Sequence, residues 1–123
     1  MDVTFATDYP GADKQQQGDV PLGGGPVLAR GAANSPAVHE MLRDLAEREG
    51  ISYSVQITPR STGTDADVIH VARGGVATAV ISIPNRYMHS PNEMVALADV
   101  EHAAMLIAAF VRSLSPATDF VPR

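Results

Sequence analysis

No cysteine occurs among the 123 residues. A disulfide framework and a thiolate-held zinc are therefore excluded, so any transition metal would have to be held by histidine and carboxylate. Tryptophan is absent too, and only three tyrosines and three phenylalanines are present, which weighs against an aromatic-lined sugar cleft. Basic residues are few, nine Lys and Arg against fourteen Asp and Glu, for a net charge of −5. With no Lys/Arg block to neutralise phosphates, nucleic acid is not an expected partner. Long apolar runs are also missing. The richest late stretch, AAMLIAAFV at 103–111, is too short to span a bilayer. MDVTFATDYPG lacks the basic start and apolar core of a secretory signal. No membrane partner is expected, and the expected compartment is the cytoplasm.

What remains is a chain of one domain's length, with 45% hydrophobic and 19% charged residues, a globular balance. VTFAT (Val3–Thr7) predicts a strand that opens almost at the first residue, as expected if the chain continues something longer. Asp8-Tyr9-Pro10-Gly11 is turn chemistry, and 12–25 reads as a Gly-rich surface loop. A second strand is predicted over 26–30. Asn34-Ser35-Pro36 opens a helix, with a capping side chain before proline at the first helical position. Val38, Met41, Leu42 and Leu45 follow at helical spacing until Gly50 stops it. ISYSVQIT (51–58) alternates as a strand does. Thr64 can cap a short helix from Asp65, with Val68, Ile69 and Ala72 inward and Gly74-Gly75 ending it. Val76–Ile83 is a continuous β-branched and apolar run, the pattern of a strand covered on both faces. The spacing then predicts a helix over about 97–114 whose apolar face is Val100, Ala103, Ala104, Ile107, Val111 and Leu114. The tail SPATDFVPR (115–123) is expected to fray. Strands alternating with helices imply a layered α/β/α fold with a mixed or mostly parallel sheet. Chemistry in such sheets collects beyond the carboxyl ends of strands.

Of four histidines, His39, His70 and His102 lie within predicted helices and read as surface residues. His89 differs. It sits in the loop IPNRYMHSPNE (83–93), between Pro84 and Pro91, directly after the apolar strand. A loop histidine serves as a metal ligand or as a structural residue, and spacing alone leaves both open. The carboxylates near strand ends are Asp2, Asp8, Asp65, Asp67 and Glu93. Asp65 equally suits a helix N-terminus, where a negative charge is favourable. Glu93 either begins the approach to the last helix or orients His89. LGGGP (22–26) has neither a following Gly-Lys-Ser/Thr nor a helix start, so it is not a phosphate loop. No Gly-x-Ser-x-Gly elbow exists, and Ser61 and Ser90 lack a His/Asp pattern, so a serine hydrolase is not expected.

Four segments, taken together, carry a family resemblance: DVTFATDYPG (2–11), GGGPVLARG (23–31), PRSTGTDADVIHVARGGVAT (59–78) and ISIPNRYMHSPNEM (81–94). Their order and spacing resemble the C-terminal part of the catalytic domain of dinuclear-metal aminopeptidases. This is the family of TET-type and glutamyl aminopeptidases, some of whose members are labelled cellulase M or endoglucanase. The resemblance covers nearly the whole chain. It implies that Asp2, in the Asp-Val-Thr segment, ligates one metal ion, and that His89, in Arg-Tyr-x-His-Ser, ligates the other. It further places Asp8, Asp65, Arg86 and Glu93 beside the site without ligating, Arg86 organising the loop and Thr64-Asp65 lying in a turn near the cleft. The family's remaining ligands, its bridging aspartate and the Glu-Glu pair that includes the general base precede the Asp-Val-Thr segment. Those groups, and the inserted dimerisation domain, are thus expected upstream of residue 1. Where the family often has lysine in Leu-Gly-x-Gly-Pro, Gly24 stands here.

The resemblance therefore implies that residues 1–123 are the C-terminal portion of a metallo-aminopeptidase catalytic domain, an incomplete half of a zinc-peptidase-like fold. The intact enzyme would use two divalent metal ions, zinc or cobalt, and a peptide substrate; the chain alone need bind neither ion. The leading alternative is a non-catalytic assembly module that pairs with a separately encoded N-terminal half, or with itself as a homo-oligomer. A glucanase reading is weaker, since glycoside hydrolysis needs two carboxylates set across a sugar cleft.

Overall fold

The computed structural model describes residues 1–121; Pro122 and Arg123, the end of the tail expected to fray, lie outside the described residues. Four strands, β1 (Asp2–Phe5), β2 (Val27–Gly31), β3 (Ser54–Thr58) and β4 (Ile81–Asn85), form one sheet in the order β1-β4-β2-β3. β1 is parallel to β4, β2 is parallel to β3, and β2 and β4 are antiparallel, so the sheet is mixed. Helices α1 (Lys14–Gln17), α2 (Pro36–Arg48), α3 (Ala66–Ile69) and α4 (Leu97–Ser113) alternate with the strands. The class is α/β, as the pattern of elements implied.

The main core lies on one face of the sheet. There Leu28, Ile81 and Ile83 meet Leu42 and Leu45 of α2 and Ala103, Leu106 and Ala109 of α4. On the opposite face, Ala29 and Val80 meet Ala66 of α3. All five residues of β4 are buried, which is why their sequence run shows no polar alternation.

Several local expectations fail, each for an identifiable reason. The strand expected from Val76 begins only at Ile81. Before it, the Asn34 side chain accepts the Val80 N–H and Thr78 O accepts the Ser35 N–H, so bonds to the segment that opens α2 replace a ladder. Ser35 occupies the N-cap of α2 without a side-chain cap bond, although Pro36 does open the helix. The surface loop expected at 12–25 contains α1, because the Asp13 carboxylate caps the Gln15 and Gln16 N–H groups. In α3 only Ala66 is buried, and Val68 and Ile69, expected inward, are 67% and 45% exposed. A single helical turn has one inward position, and the Thr64 hydroxyl fixes it by accepting the Ala66 N–H at 3.2 Å. The tail is not frayed where it is described: Phe120 stacks on Phe110 at 6.1 Å.

The apolar face of α4 is rotated from the expected one. Of the expected face, Ala103 is buried and Ile107 packs half-buried on the core, whereas Val100, Ala104, Val111 and Leu114 are exposed and Asp99, Leu106 and Ala109 are buried in their place. Both sets have helical spacing. The choice between them is made by the fully buried Asp99 carboxylate, which accepts the Gly23 and Gly25 N–H groups at 2.8 Å each. His102 and His70, expected on the surface, are half-buried, and His70 Nδ1 lies 2.9 Å from Ala66 O.

His39 also contradicts its expected exposure. It lies on the face of α2 that carries Leu42 and Ala46 and is only 7% exposed. Its Nδ1 is 3.2 Å from Ala29 O, so the neutral ring donates there. Burial lowers its pKa from the usual 6.5. The folded chain then binds fewer protons than the unfolded chain just below that value, so stability falls as pH falls through this window. The melting temperature is expected to drop from pH 7 to pH 5.5, and His39→Gln should flatten that slope, as read by circular dichroism.

Candidate functional site

The site grows out of the pairing of β1 with β4. These parallel strands place Asp2 beside Ser82 and Phe5 beside Asn85. Beyond Asn85 the chain turns through a loop closed at its neck by Arg86 N–H to Met94 O at 2.8 Å and Met94 N–H to Arg86 O at 3.0 Å. Within this loop Tyr87 and His89 have φ of 61° and 67°. Neither is glycine, so both sit in the costly left-handed region and must be held there by their surroundings.

The holding contacts are specific. Arg86 donates twice to the Asp8 carboxylate, at 3.2 and 2.7 Å, and Asp8 also accepts the Leu22 N–H at 3.0 Å. The Arg86 hydrogen bond holds the Asp8 carboxyl below its ordinary range despite partial burial. Tyr87 packs on Tyr9 at 5.5 Å. The Glu93 carboxylate accepts the His89 backbone N–H at 2.7 Å. The His89 imidazole stands edge-on to Phe5, with centroids 5.8 Å apart. Tyr9 thereby braces Tyr87, and Phe5 and Glu93 brace His89.

Asp2 and His89 line the same cleft, of about 520 Å³. Both are exposed. Asp2 Oδ1 accepts the Val3 N–H at 2.8 Å, which fixes the carboxylate beside the strand. Between them, among the described residues, the cleft surface carries no charged side chain and mixes apolar residues, Val3, Phe5, Ile57 and Met88 among them, with neutral polar ones. Thr4 Oγ1 donates to Gln56 Oε1 at 2.8 Å, and Gln56 Nε2 donates to Gln17 O at 3.2 Å. This relay ties β1 to β3 and to α1. The turn at 62–64 forms another wall. It is fastened by the Asp67 carboxylate, which accepts the Thr62 N–H and hydroxyl at 2.8 Å each and the Gly63 N–H at 3.0 Å. These bonds, the Thr62 N–H foremost, hold the Asp67 pKa down.

The other predicted neighbours are placed differently. Asp8 and Arg86 form a pair that braces the loop, and neither lines the cleft. Glu93 grips the backbone of His89 rather than its ring. Asp65 occupies the N-cap position of α3 without a side-chain cap bond and is exposed outside the cleft, although Thr64 lines it. Gln56 and Asp99 escaped sequence reasoning, and Asp67, one of the candidate carboxylates, fastens the turn at 62–64. Asp99 alone left a readable signal, a carboxylate in register with the apolar positions 103 and 106 of one helix face.

The cleft therefore offers a cation one carboxylate and one imidazole, both usual zinc donors. Among the described residues no group of three or more His, Asp and Glu gathers to hold a metal ion. The same segments that build this cleft lie within 1–106, the span matched by the family model described as M42 glutamyl aminopeptidase. The chain belongs to this aminopeptidase family. The lysyl aminopeptidase of Pyrococcus furiosus is 42% identical over 123 residues, which is 99% of this chain and 34% of the relative. The solved structure of an aminopeptidase from Desulfurococcus kamchatkensis matches with a TM-score of 0.82 and 37% identity, over 93% of this chain and 33% of that one. A TET aminopeptidase from a marine-sediment thaumarchaeon matches with a TM-score of 0.83 and 28% identity, over 93% and 32%. The chain thus spans about a third of the length of these aminopeptidases.

Proposed function

We propose that this chain is the C-terminal portion of the catalytic domain of a metal-dependent aminopeptidase that removes N-terminal residues from peptides. One observation carries the reading: Asp2 and His89, from distant parts of the chain, line one cleft in a member of an aminopeptidase family. On this reading Asp2 holds one divalent ion and His89 the other, zinc or cobalt in each place. The ions, when bound, would polarise the scissile carbonyl and activate water. The chain's own residues position these donors. The Val3 N–H orients the Asp2 carboxylate, Phe5 sets the imidazole edge, and Glu93 with the Arg86–Asp8 pair fixes the backbone of His89. The Thr4–Gln56–Gln17 relay gives the peptide a neutral hydrogen-bonding floor.

Among the described residues Asp2 is the one carboxylate that lines the cleft, so on this reading a general base comes from a segment other than those walls. The purified chain is accordingly expected to show no metal-dependent turnover of aminoacyl-nitroanilides. Co-expression with the upstream two-thirds of a relative such as the P. furiosus enzyme should restore it. Robust turnover by the chain alone, or restored turnover indifferent to Asp2→Ala and His89→Ala, would refute the assignment.

A second reading, an assembly module without chemistry of its own, is favoured by the sheet edges. β1 and β3 are the outer strands, and Val3, Val55 and Ile57 on them are 39%, 39% and 60% exposed. Such a module would pair with a separately encoded half or with itself, and the co-expression experiment separates the two readings, since pairing without turnover supports the module. The glucanase reading needs a second carboxylate across the cleft, so an assay on cello-oligosaccharides beside the nitroanilides is expected to be blank.

A further inference from the structure

Among the described residues that line the cleft, Asp2 and His89 are the ionisable ones, and on the aminopeptidase reading both are given over to metal ions. Asp67 fastens the turn at 62–64 from outside the cleft, with its two oxygens turned onto the Thr62 N–H and hydroxyl and the Gly63 N–H. Arg60 stands in sequence between two lining residues, Pro59 and Ser61, yet is exposed outside the cleft.

The neutral polar side chains of the wall are already partnered within the protein. Gln56 accepts from Thr4 Oγ1 and donates to Gln17 O. The Thr62 hydroxyl donates to Asp67 and accepts the Thr64 N–H at 3.2 Å, while the Thr64 hydroxyl accepts the Ala66 N–H. Held in this way, they can offer a ligand a neutral hydrogen bond, but they cannot swing together to enclose an ion. An ion taken out of water needs several aimed partners or an opposite charge.

The apolar part of the lining is what lacks a cover. Ile57 is 60% exposed and Val3 39%. Met88 is half-buried and adjoins His89 in the same loop, so a flexible thioether stands beside one of the two donors. Methionine adapts its shape to different apolar partners.

We infer that this cleft selects substrates whose N-terminal residue has an uncharged, apolar side chain of about the size of leucine or methionine, with Ile57 and Met88 as the selecting residues. The inference rests on the aminopeptidase reading and deepens it. A lysyl or glutamyl side chain would bring an unpaired charge against Ile57 and Met88, whereas a leucyl side chain covers apolar surface that otherwise meets water.

The test uses the chain complemented by the upstream two-thirds of the P. furiosus lysyl aminopeptidase, so that a preference moved away from lysyl is carried by this chain. The kcat/KM for leucyl-nitroanilide is expected to exceed those for the lysyl and glutamyl substrates by at least about a hundredfold. Ile57→Glu should lower the leucyl-over-lysyl ratio at least about tenfold, since its carboxylate would meet the ammonium. Ile57 is mostly exposed on an outer strand, so the circular dichroism spectrum should be unchanged. A second measurement needs no turnover. The methionine methyl resonances of the chain alone are followed by NMR during titration with leucinamide, lysinamide and the α-amide of glutamate, and Met88→Leu assigns the Met88 signal. That signal is expected to shift saturably with leucinamide and not with the other two. A selective shift without turnover of any nitroanilide by the complemented chain would support the apolar preference and refute the aminopeptidase reading. Equal shifts with all three amides, no shift with any, or turnover that prefers the lysyl or glutamyl substrate overturns the inference.

Discussion

His89→Ala, introduced into the chain and assayed with its upstream complement, is expected to lower kcat/KM by well over the roughly 10–100-fold that losing an outer hydrogen-bonding partner costs a metal site. The reason is that His89 presents the imidazole of the cleft, with its ring against Phe5 and its backbone held by Glu93. Glu93→Ala, which frees only the backbone, should fall within or below that 10–100-fold range. The two variants thus separate a ligand from its support. Bound zinc, measured by plasma mass spectrometry, should fall by one equivalent in His89→Ala and stay near the parent level in Glu93→Ala. Equal losses of activity in both, with metal content unchanged, would make His89 a structural residue of a strained loop and nothing more. Its φ of 67° gives that alternative real weight, since bracing a non-glycine residue there takes several contacts regardless of purpose.

Asp99→Ala is expected to be the most damaging single change to stability. Its carboxylate is fully buried and accepts two backbone N–H groups, from Gly23 and Gly25. Alanine would leave both donors without their acceptor, at about 1–3 kcal/mol each. It would also remove an acidic side chain from the first turn of α4, where negative charge is favourable. A loss of about 3–5 kcal/mol is large against the 5–15 kcal/mol that holds a typical domain together. Urea unfolding should show the midpoint falling sharply with the slope unchanged. Asp99→Asn keeps one acceptor oxygen and should lose about half as much. The glycine loop cannot readily adapt, because a Cβ on Gly25 would sit 1.8 Å from Ser52 O and its φ is +88°. If Asp99→Ala melts like the parent, the rotation of α4 is set by its apolar contacts and not by this bond.

That rotation shows where the sequence stops being decisive. Helical spacing along 97–114 made a helix certain, yet two apolar stripes satisfy the same period. Val100, Ala104 and Val111 were the natural choice by hydrophobicity. The buried stripe instead contains an aspartate, and its partners Gly23 and Gly25 lie more than seventy positions away. No local pattern encodes a bond of that range. His39 is a similar case, since the carbonyl of Ala29 that receives its ring belongs to another element. Asn34 looked like a helix cap and serves instead as the acceptor for Val80 N–H, forty-six positions on.

Other features were legible because they depend on one element at a time. The apolar run 76–83 announced a strand buried on both faces, and its last three residues lie in β4, which is buried throughout, although Val76 and Ala77 are exposed outside the strand. The alternation of strands and helices announced the α/β class. The loop after that strand announced a polar constellation, and its arginine does organise it, through Asp8. What the loop's sequence did not announce is the left-handed backbone at Tyr87 and His89, or that Glu93 would serve the backbone of His89 and leave the ring alone.

By itself, then, the sequence determined most of the elements, though not α1 or the start of β4, together with their class and the residue types available for chemistry, because composition and periodicity act over a few residues. The tertiary structure alone decided which helix faces turn inward, which polar groups satisfy one another, and that Asp2 and His89 share a cleft. Those outcomes hinge on hydrogen bonds and packing between segments far apart in the chain, where each contact is set by the register of a sheet and the rotation of a helix.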